Sequence, residues 1–223
     1  MKKAIIPVII FSCICTSCVL SKYTPYQNTK FTSNREFAGT EMIRQEFETI
    51  RRVLRVLEKA TDCLDNGQQI PAETFQGILE IISNFSDKRH HEKEDKILFP
   101  ILKDKENGAK RDFLGQLLME HVTSRDKIRD LSGSLIHLSQ GKKAKKKITK
   151  IAYAYIKHTR RHIQTEEKVL LPWANTVLTH DDQILLKNTF GELERDDIET
   201  GVHEKYITML EGFEKQLEIH PES

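Results

Sequence analysis

The sequence predicts an all-α protein, an up-and-down four-helix bundle followed by one or two extra C-terminal helices. Four long segments each carry apolar residues at intervals of three and four, the pattern of a helix with one buried face. The connections between these segments are short and polar, which places consecutive helices side by side and antiparallel. The chain has 223 residues, of which 30% are charged and 7% are aromatic, as expected for one helical domain with appendages.

The first predicted helix spans about Thr40 to Asp65, the second follows Ile70-Pro71, the third follows the turn at 105–108, and the fourth follows Gly141. The apolar faces are Ile43, Phe47, Ile50, Leu54 and Leu57 in the first helix; Ile78, Ile82, Ser86, His90, Glu94, Ile97 and Ile101 in the second; Leu114, Leu117, His121, Ser124, Ile128, Leu131, Leu135 and Leu138 in the third; and Ile148, Ile151, Tyr155, Thr159, His162, Glu166, Val169 and Trp173 in the fourth. The covering helices carry Ile184, Leu185 and Phe190, then Tyr206, Met209, Leu210, Phe213 and Leu217.

One string of residues occurs twice, at 90–100 and at 162–172. Each copy reads His, three residues, two acids, a basic residue, two aliphatic residues, an apolar residue and Pro. A His and a Glu four positions apart lie on the same face of a helix, about one turn apart. The imidazole and carboxylate of each copy can therefore converge on one point, and two such helices facing each other would surround a metal.

Five polar side chains share these core positions, namely His90, Glu94, His121, His162 and Glu166. A single buried histidine is usually a hydrogen-bonded core residue, but two buried and unpaired carboxylates cost several kcal/mol each. No basic residue other than Arg125 is expected at their level. A bound cation removes this cost, and imidazole with carboxylate suits iron, manganese or zinc. The sequence therefore predicts a metal site.

The order His-x-x-x-Glu differs from the Glu-x-x-His of ferritin-like di-iron bundles and resembles the hemerythrin-like, HHE cation-binding family. Residues 85–100 are similar to the second-helix motif of that family, 119–125 to the third, 155–173 to the fourth, and 201–206 to a segment after the bundle in one branch. The resemblance implies a non-haem di-iron centre. In that centre His90, His121 and His162 would be terminal ligands, and Glu94 and Glu166 would bridge two metals about 3.5 to 4 Å apart.

The chain departs from this pattern at Phe47, where both the family and the internal repeat call for a histidine. Three outcomes are open. One metal lacks a nitrogen ligand and has an extra open position; His203 or Glu204 from the C-terminal helices supplies the missing ligand; or only one metal, iron or another divalent ion, binds. An open position would favour reaction with O2, NO or peroxide over reversible carriage.

Two further histidines lie near the predicted ligands in the sequence. We expect His91 and His158 to orient the ligands from behind, although a direct ligand or proton-relay role for His158 is also open. The leading hypothesis is an exported iron-binding protein, with about two iron ions per chain, that handles O2, NO or peroxide. The alternatives are an iron store or sensor without turnover, and a metal-free helical interaction module.

The first 18 residues have the pattern of a bacterial export signal, with Lys2-Lys3 before a short apolar run. The tetrapeptide Cys15-Thr16-Ser17-Cys18 also resembles a lipobox, which predicts lipidation at Cys18 and a membrane-anchored lipoprotein of the cell envelope. A plain secretory signal or anchor, and a cytosolic location, are the alternatives. The predicted organisation is a signal at 1–18, a flexible tether at 19–38, the bundle at 39–178 and covering helices at 179–219.

Several function classes find no support in the sequence. The formal net charge of +2 gives no field that would attract nucleic acid, and the lysines at 142–147 are interpreted as a solvated loop. No glycine-rich phosphate loop and no serine or cysteine beside an activating histidine is recognisable. Three of the four cysteines lie in the signal segment, which leaves Cys63 without a disulfide partner in the folded part.

Overall fold

The structure, a computed structural model, describes residues 38–106 and 108–219, apart from the side chains of residues 196–198. The predicted export signal, the lipidation site Cys18 and all of the predicted tether except Ala38 lie outside the described residues. In the described ranges every regular element is helical. The prediction of a helical bundle with additional C-terminal helices is confirmed.

The first and third bundle helices are α1 (Ala38–Asp65) and α4 (Ala109–Leu135). The second is continuous and consists of α2 (Ala72–Ile82), the π-helical segments π1 (Ser83–His91) and π2 (Glu94–Leu98), and α3 (Phe99–Lys105). The fourth consists of α5 (Lys142–Thr165), π3 (Glu166–Leu170) and α6 (Leu171–Val177). Two covering helices follow, α7 (His180–Glu199) and α8 (Val202–Gln216).

The π-helical turns π2 and π3 repeat at equivalent places in the two halves of the chain. The amide of Phe99 donates to the carbonyl of Glu94, and the amide of Leu171 donates to the carbonyl of Glu166. Both bonds span five residues, because Pro100 and Pro172 follow and have no N–H to continue the α-helical ladder. Each π turn thus begins at a candidate ligand.

The covering helices pack on the side of the bundle formed by α1 and α2. The side-chain Oε1 of Gln183 accepts hydrogen bonds from the amides of Gly39 and Thr40, both at 3.0 Å. This satisfies amides at the start of α1 that have no partner within the helix. At Gly77, an added Cβ would lie 2.5 Å from the ring of Phe213, so α8 approaches α2 where a side chain is absent.

Three expectations about local structure were wrong. Val169 is 42% exposed because the π turn shifts the helical face, so that Leu170 and Leu171 are buried instead. Ile184 and Leu185 are exposed, whereas Gln183, Leu186 and Phe190 form the buried face of α7. The lysines at 142–147 form the first turns of α5 rather than a loop, since Gly141 with φ 95° ends the preceding turn.

Candidate metal centre

Three histidines come from three different bundle helices and point into the core. His90, His121 and His162 are each at most 1% exposed. The Nδ1 of each ring faces a carboxylate on a different helix or turn: Glu46 at 3.0 Å for His90, Asp95 at 2.6 Å for His121, and Glu120 at 2.7 Å for His162. A carboxylate at Nδ1 fixes the ring orientation and leaves Nε2 to act as a metal ligand.

The three Nε2 atoms converge on two buried carboxylates, Glu94 and Glu166, which have no exposed surface. His162 Nε2 lies 2.8 Å from Glu166 Oε1, and His90 Nε2 lies 3.4 Å from Glu166 Oε2. His121 Nε2 lies 3.4 Å from Glu94 Oε2. The two oxygens of Glu166 therefore face different imidazoles, and Glu166 lies between His90 and the pair His121 and His162.

Donor atoms of Glu94, His121, His162 and Glu166 lie mutually within 4.8 Å, a spacing at which they can hold one metal ion. His90 lies outside this group, on the Oε2 side of Glu166. Both oxygens of Glu94 and the Oε1 of Glu166 accept no hydrogen bond of good geometry from the described residues. A buried carboxylate oxygen without a hydrogen bond is unfavourable unless a cation binds it, and imidazole with carboxylate suits iron, manganese and zinc. The residues present fit a metal.

The histidines and glutamates of this cluster shift one another's pKa values. Burial opposes protonation of the histidines, but the nearby carboxylates outweigh it and raise the pKa to about 10 for His90, about 11 for His121 and about 9 for His162. Burial and the charge of Glu166 raise the pKa of Glu94, whereas the histidines hold that of Glu166 low against its burial. Without a metal, protonated histidines thus balance the carboxylates, and metal binding must displace protons.

We expect the metal-free protein to lose stability as the pH rises from about 7 to about 10. The pKa values of His90, His121 and His162 lie above the ordinary value of 6.5, so their stabilisation is complete at low pH and is lost as the pH passes through the raised values. Thermal unfolding followed by circular dichroism at both pH values measures this loss. The metal-loaded protein should lose less, since metal-bound histidines carry no titrating proton. A metal-free melting temperature that rises over this range would contradict the assignment.

Phe47 occupies the position at which a histidine ligand from the first helix was expected. Phe47 is fully buried, and its ring lies 5.3 Å from that of His90 in an edge-to-face arrangement. His203 instead accepts a hydrogen bond at Nδ1 from Arg89, and its ring lies 5.6 Å from Phe85. Neither His203 nor Glu204 belongs to the groups of clustered donors found among the described residues. Among the described residues, neither candidate joins a donor cluster with His90.

The two histidines expected behind the ligands occupy different places. His158 Nε2–H donates to the backbone carbonyl of Glu120 at 3.0 Å, beside the carboxylate that orients His162. His91 is 3% exposed, and one of its ring nitrogens lies within 4.8 Å of the donor atoms of His121 and His162. His91 is thus closer to the centre than sequence reasoning placed it.

Sequence reasoning also missed a buried ion network beside His90. Lys93 is 1% exposed and its ammonium contacts the carboxylates of Glu46 and Glu194. Glu46 in turn accepts a hydrogen bond from His90. Burial raises the pKa of Glu46, but His90 and Lys93 outweigh it and lower that pKa. The internal repeat that calls for a histidine at position 47 aligns Glu46-Phe47 with Glu120-His121, which is a usable signal for the orienting carboxylates Glu46 and Glu120. Nothing in the sequence points to Glu194.

The fold and the site together define a helical bundle with a buried histidine and carboxylate cluster suited to a metal cation. Comparison with family models gives a match to the hemerythrin HHE cation-binding domain over residues 38–174. The chain belongs to this family. Comparisons with curated proteins and with solved structures gave no match.

Proposed function

We propose that this chain binds non-haem iron, about two ions per chain, and handles O2, NO or peroxide. Membership of a cation-binding family supports a bound metal. The observation that carries the di-iron reading is the position of Glu166, whose Oε2 lies 3.4 Å from His90 and whose Oε1 lies 2.8 Å from His162. A carboxylate whose oxygens face different imidazoles is suited to hold two cations at once.

The described residues favour a small ligand over a large one. The five donor side chains are each at most 1% exposed, so the bundle excludes bulk water from them. Ser86, Ser124 and Thr159 are also buried, and they lie about one helical turn from His90, His121 and His162, respectively. The hydroxyls of Ser86 and Thr159 interact with the phenol of Tyr155, whereas that of Ser124 makes no hydrogen bond within the described part of the chain. Iron bound here would supply a redox-active ion, and the Ser124 hydroxyl is available to hold a small oxygen-containing molecule beside it.

The test of this proposal is the reactivity of the iron-loaded protein. We expect iron-loaded wild type to consume hydrogen peroxide, or to change its absorption spectrum on adding NO, while the double variant His90→Ala/His162→Ala treated identically does neither. Peroxide loss is followed by absorbance and referred to the iron content measured in the same sample. Wild type that holds iron but reacts with neither hydrogen peroxide nor NO would reject the reactive centre and favour an iron store or sensor.

A metal-free interaction module is the remaining alternative, and the buried Phe47 beside His90 is the observation in its favour. That protein would have the same melting temperature before and after treatment with a strong chelator. A metal-binding protein would instead lose stability on chelation, because a ligand that binds only the folded state stabilises it by mass action.

We also propose that the protein is exported and anchored at the cell envelope through a lipid on Cys18. Support comes from the charged and apolar pattern of residues 1–18. Across 38–106 and 108–219, no helix has the length and apolar character needed to cross a membrane. Incorporation of labelled fatty acid into wild type but not Cys18→Ser would support the anchor, and equal labelling of both would reject it.

A further inference from the structure

The helix α5 has an outer face made of lysines. Its 24 residues include seven lysines and two arginines but no aspartate or glutamate. Six of the lysines are exposed and, at 3.6 residues per turn, fall within about 140° of the helix circumference. These six, called the lysine face, are Lys142, Lys143, Lys146, Lys147, Lys150 and Lys157.

Neighbouring carboxylates do not neutralise the lysine face. Among the described residues none of its six ammonium groups forms an ion pair, whereas the two arginines at the far end of α5 pair with glutamates of α1 and α4. Two acidic residues of α1 beside α5 accept hydrogen bonds from hydroxyls instead, Asp62 from Tyr153 and Asp65 from Thr149. The face therefore carries uncompensated positive charge, although the formal net charge of the chain is only +2.

Most of these lysines lie at the end of α5 where they do not stabilise the helix. Four of the six belong to the first two turns, which begin at Lys142. The helix dipole makes this end positive, so it favours acidic residues and disfavours cations. The first turn of α5 has no acidic residue, whereas α1 begins with Glu41 and α4 with Asp112. Binding of an anion explains the lysines better than helix stability does.

A groove lies where the turn between α4 and α5 meets the lysine face. Its volume is about 490 Å³, and it is lined by Ser134, His137, Gln140, Lys143, Ala144 and Lys147. The ammonium groups of lysines bind phosphate oxygens as point charges. The groove has room for a phosphate group, and the two lysines that line it belong to the lysine face.

We infer that the lysine face of α5 is a docking surface for an anionic lipid bilayer, with one lipid phosphate in the groove. Lysine suits a fluid surface, because its ammonium attracts phosphate without requiring a fixed geometry. Each lysine close to an anionic bilayer strengthens binding about fivefold. The inference rests on the proposed location at the cell envelope and extends membrane contact from the lipid anchor to the folded bundle.

The length of the predicted tether favours a bilayer as the partner. The described chain begins at Ala38, the first residue of α1, and the lysine face begins near the opposite end of that helix, where Thr149 contacts Asp65. Residues 19–37 can span at most about 65 Å, which exceeds the roughly 42 Å length of α1. A chain anchored at Cys18 can therefore lay the side of the bundle on the same membrane.

The test is the rate at which a water-soluble acetylating reagent modifies each lysine of the full-length protein on vesicles. One set of vesicles is neutral phosphatidylcholine, and the other also contains anionic phosphatidylglycerol. Mass spectrometry should find the lysine face modified at least about threefold more slowly on the anionic vesicles. In 1 M salt, where the Debye length falls to about 3 Å, this protection should disappear. Three exposed lysines on other helices should keep their rates, namely Lys88, Lys187 and Lys215.

A triple variant and a matched control test the role of charge. Lys143→Gln/Lys147→Gln/Lys150→Gln should lower the affinity for anionic relative to neutral vesicles by at least about thirtyfold, measured by sedimentation. The triple glutamine variant of the three control lysines loses the same charge and should stay within about twofold of wild type. Circular dichroism confirms that both variants keep the helical content of wild type.

Equal modification of the lysine face on neutral and anionic vesicles would overturn the inference. Protection of Lys143 and Lys147 by inorganic phosphate alone, with no protection on anionic vesicles, would assign the groove to a free anion and reject the bilayer. Protection by double-stranded DNA but not by vesicles would identify nucleic acid as the partner instead. Failure of the lipid anchor is a separate result, since equal fatty-acid labelling of Cys18→Ser and wild type would reject the anchor, while slower modification on anionic vesicles would retain the lysine face.

Discussion

Replacing both His90 and His162 by alanine is expected to abolish metal binding while leaving the helical fold in place. Each side chain is 1% exposed and directs Nε2 at Glu166, so the double variant removes one nitrogen donor from each side of that carboxylate. Loss of a residue that merely supports a ligand typically lowers metal affinity about 10–100-fold, and loss of two ligands should exceed this. We expect the metal content after reconstitution and desalting to fall below about a tenth of wild type.

A matched control is available on the surface of the same protein. His137 and His180 are exposed, and the double variant His137→Ala/His180→Ala removes the same chemical groups from places remote from the core. It should retain wild-type metal content. Circular dichroism on all three proteins verifies the fold. Full metal content in His90→Ala/His162→Ala would show that the cluster described here is not the metal site.

The second large effect is expected at Lys93. Replacing Lys93 by methionine keeps the length of the side chain and removes the cation beside the largely buried carboxylate of Glu46, since Lys93 is 1% exposed and contacts both Glu46 and Glu194. Breaking a buried ion pair by removing one partner typically costs about 3–5 kcal/mol. In a domain of this size we expect the melting temperature of Lys93→Met to fall by roughly 10 °C, measured by thermal unfolding of the metal-free protein.

Lys96 provides the control for this experiment. It lies one turn further along the same helix, its side chain is 64% exposed, and it pairs with Glu92 at 2.9 Å on the surface. Lys96→Met should therefore change the free energy of unfolding by less than about 1 kcal/mol. Adding Glu46→Gln to Lys93→Met should recover part of the loss, because the buried charge is removed. Equal stability of Lys93→Met and Lys96→Met would rule out an important role for the network.

Much of the bundle and of its centre could be predicted because both follow from helical periodicity. The repeated His-x-x-x-Glu strings occupy positions that the apolar pattern assigns to the core, and two residues four apart on a helix must share a face. The burial of Lys93 could not be predicted from periodicity, since Lys93 stands between two acidic residues and such a charged segment is typical of a solvated helix face. Its burial depends on Glu194 of α7, and the packing of α7 was itself mispredicted because Gln183 turns a different face toward α1.

The π turns show a second limit of periodicity. The pattern that places Leu170 and Leu171 in the core and Val169 outside breaks the three-four rhythm, and only the hydrogen bonds spanning five residues explain the change. The prolines Pro100 and Pro172 were visible in both copies of the repeat, but a proline alone does not reveal how the preceding turn adjusts. Similarly, the sequence alone could not pair the orienting carboxylates with their histidines, because each carboxylate and its histidine lie on different helices.

The most direct test of the central claim is the metal content of purified full-length protein after reconstitution with iron(II) and removal of unbound metal. Mass spectrometry should find about two irons per chain, as in two-metal sites generally, and the absorption spectrum in air should show near-ultraviolet bands absent from the metal-free protein. One iron per chain would retain metal binding and reject the di-iron centre. A well-folded helical protein that retains neither iron nor another divalent metal would contradict the account of the site.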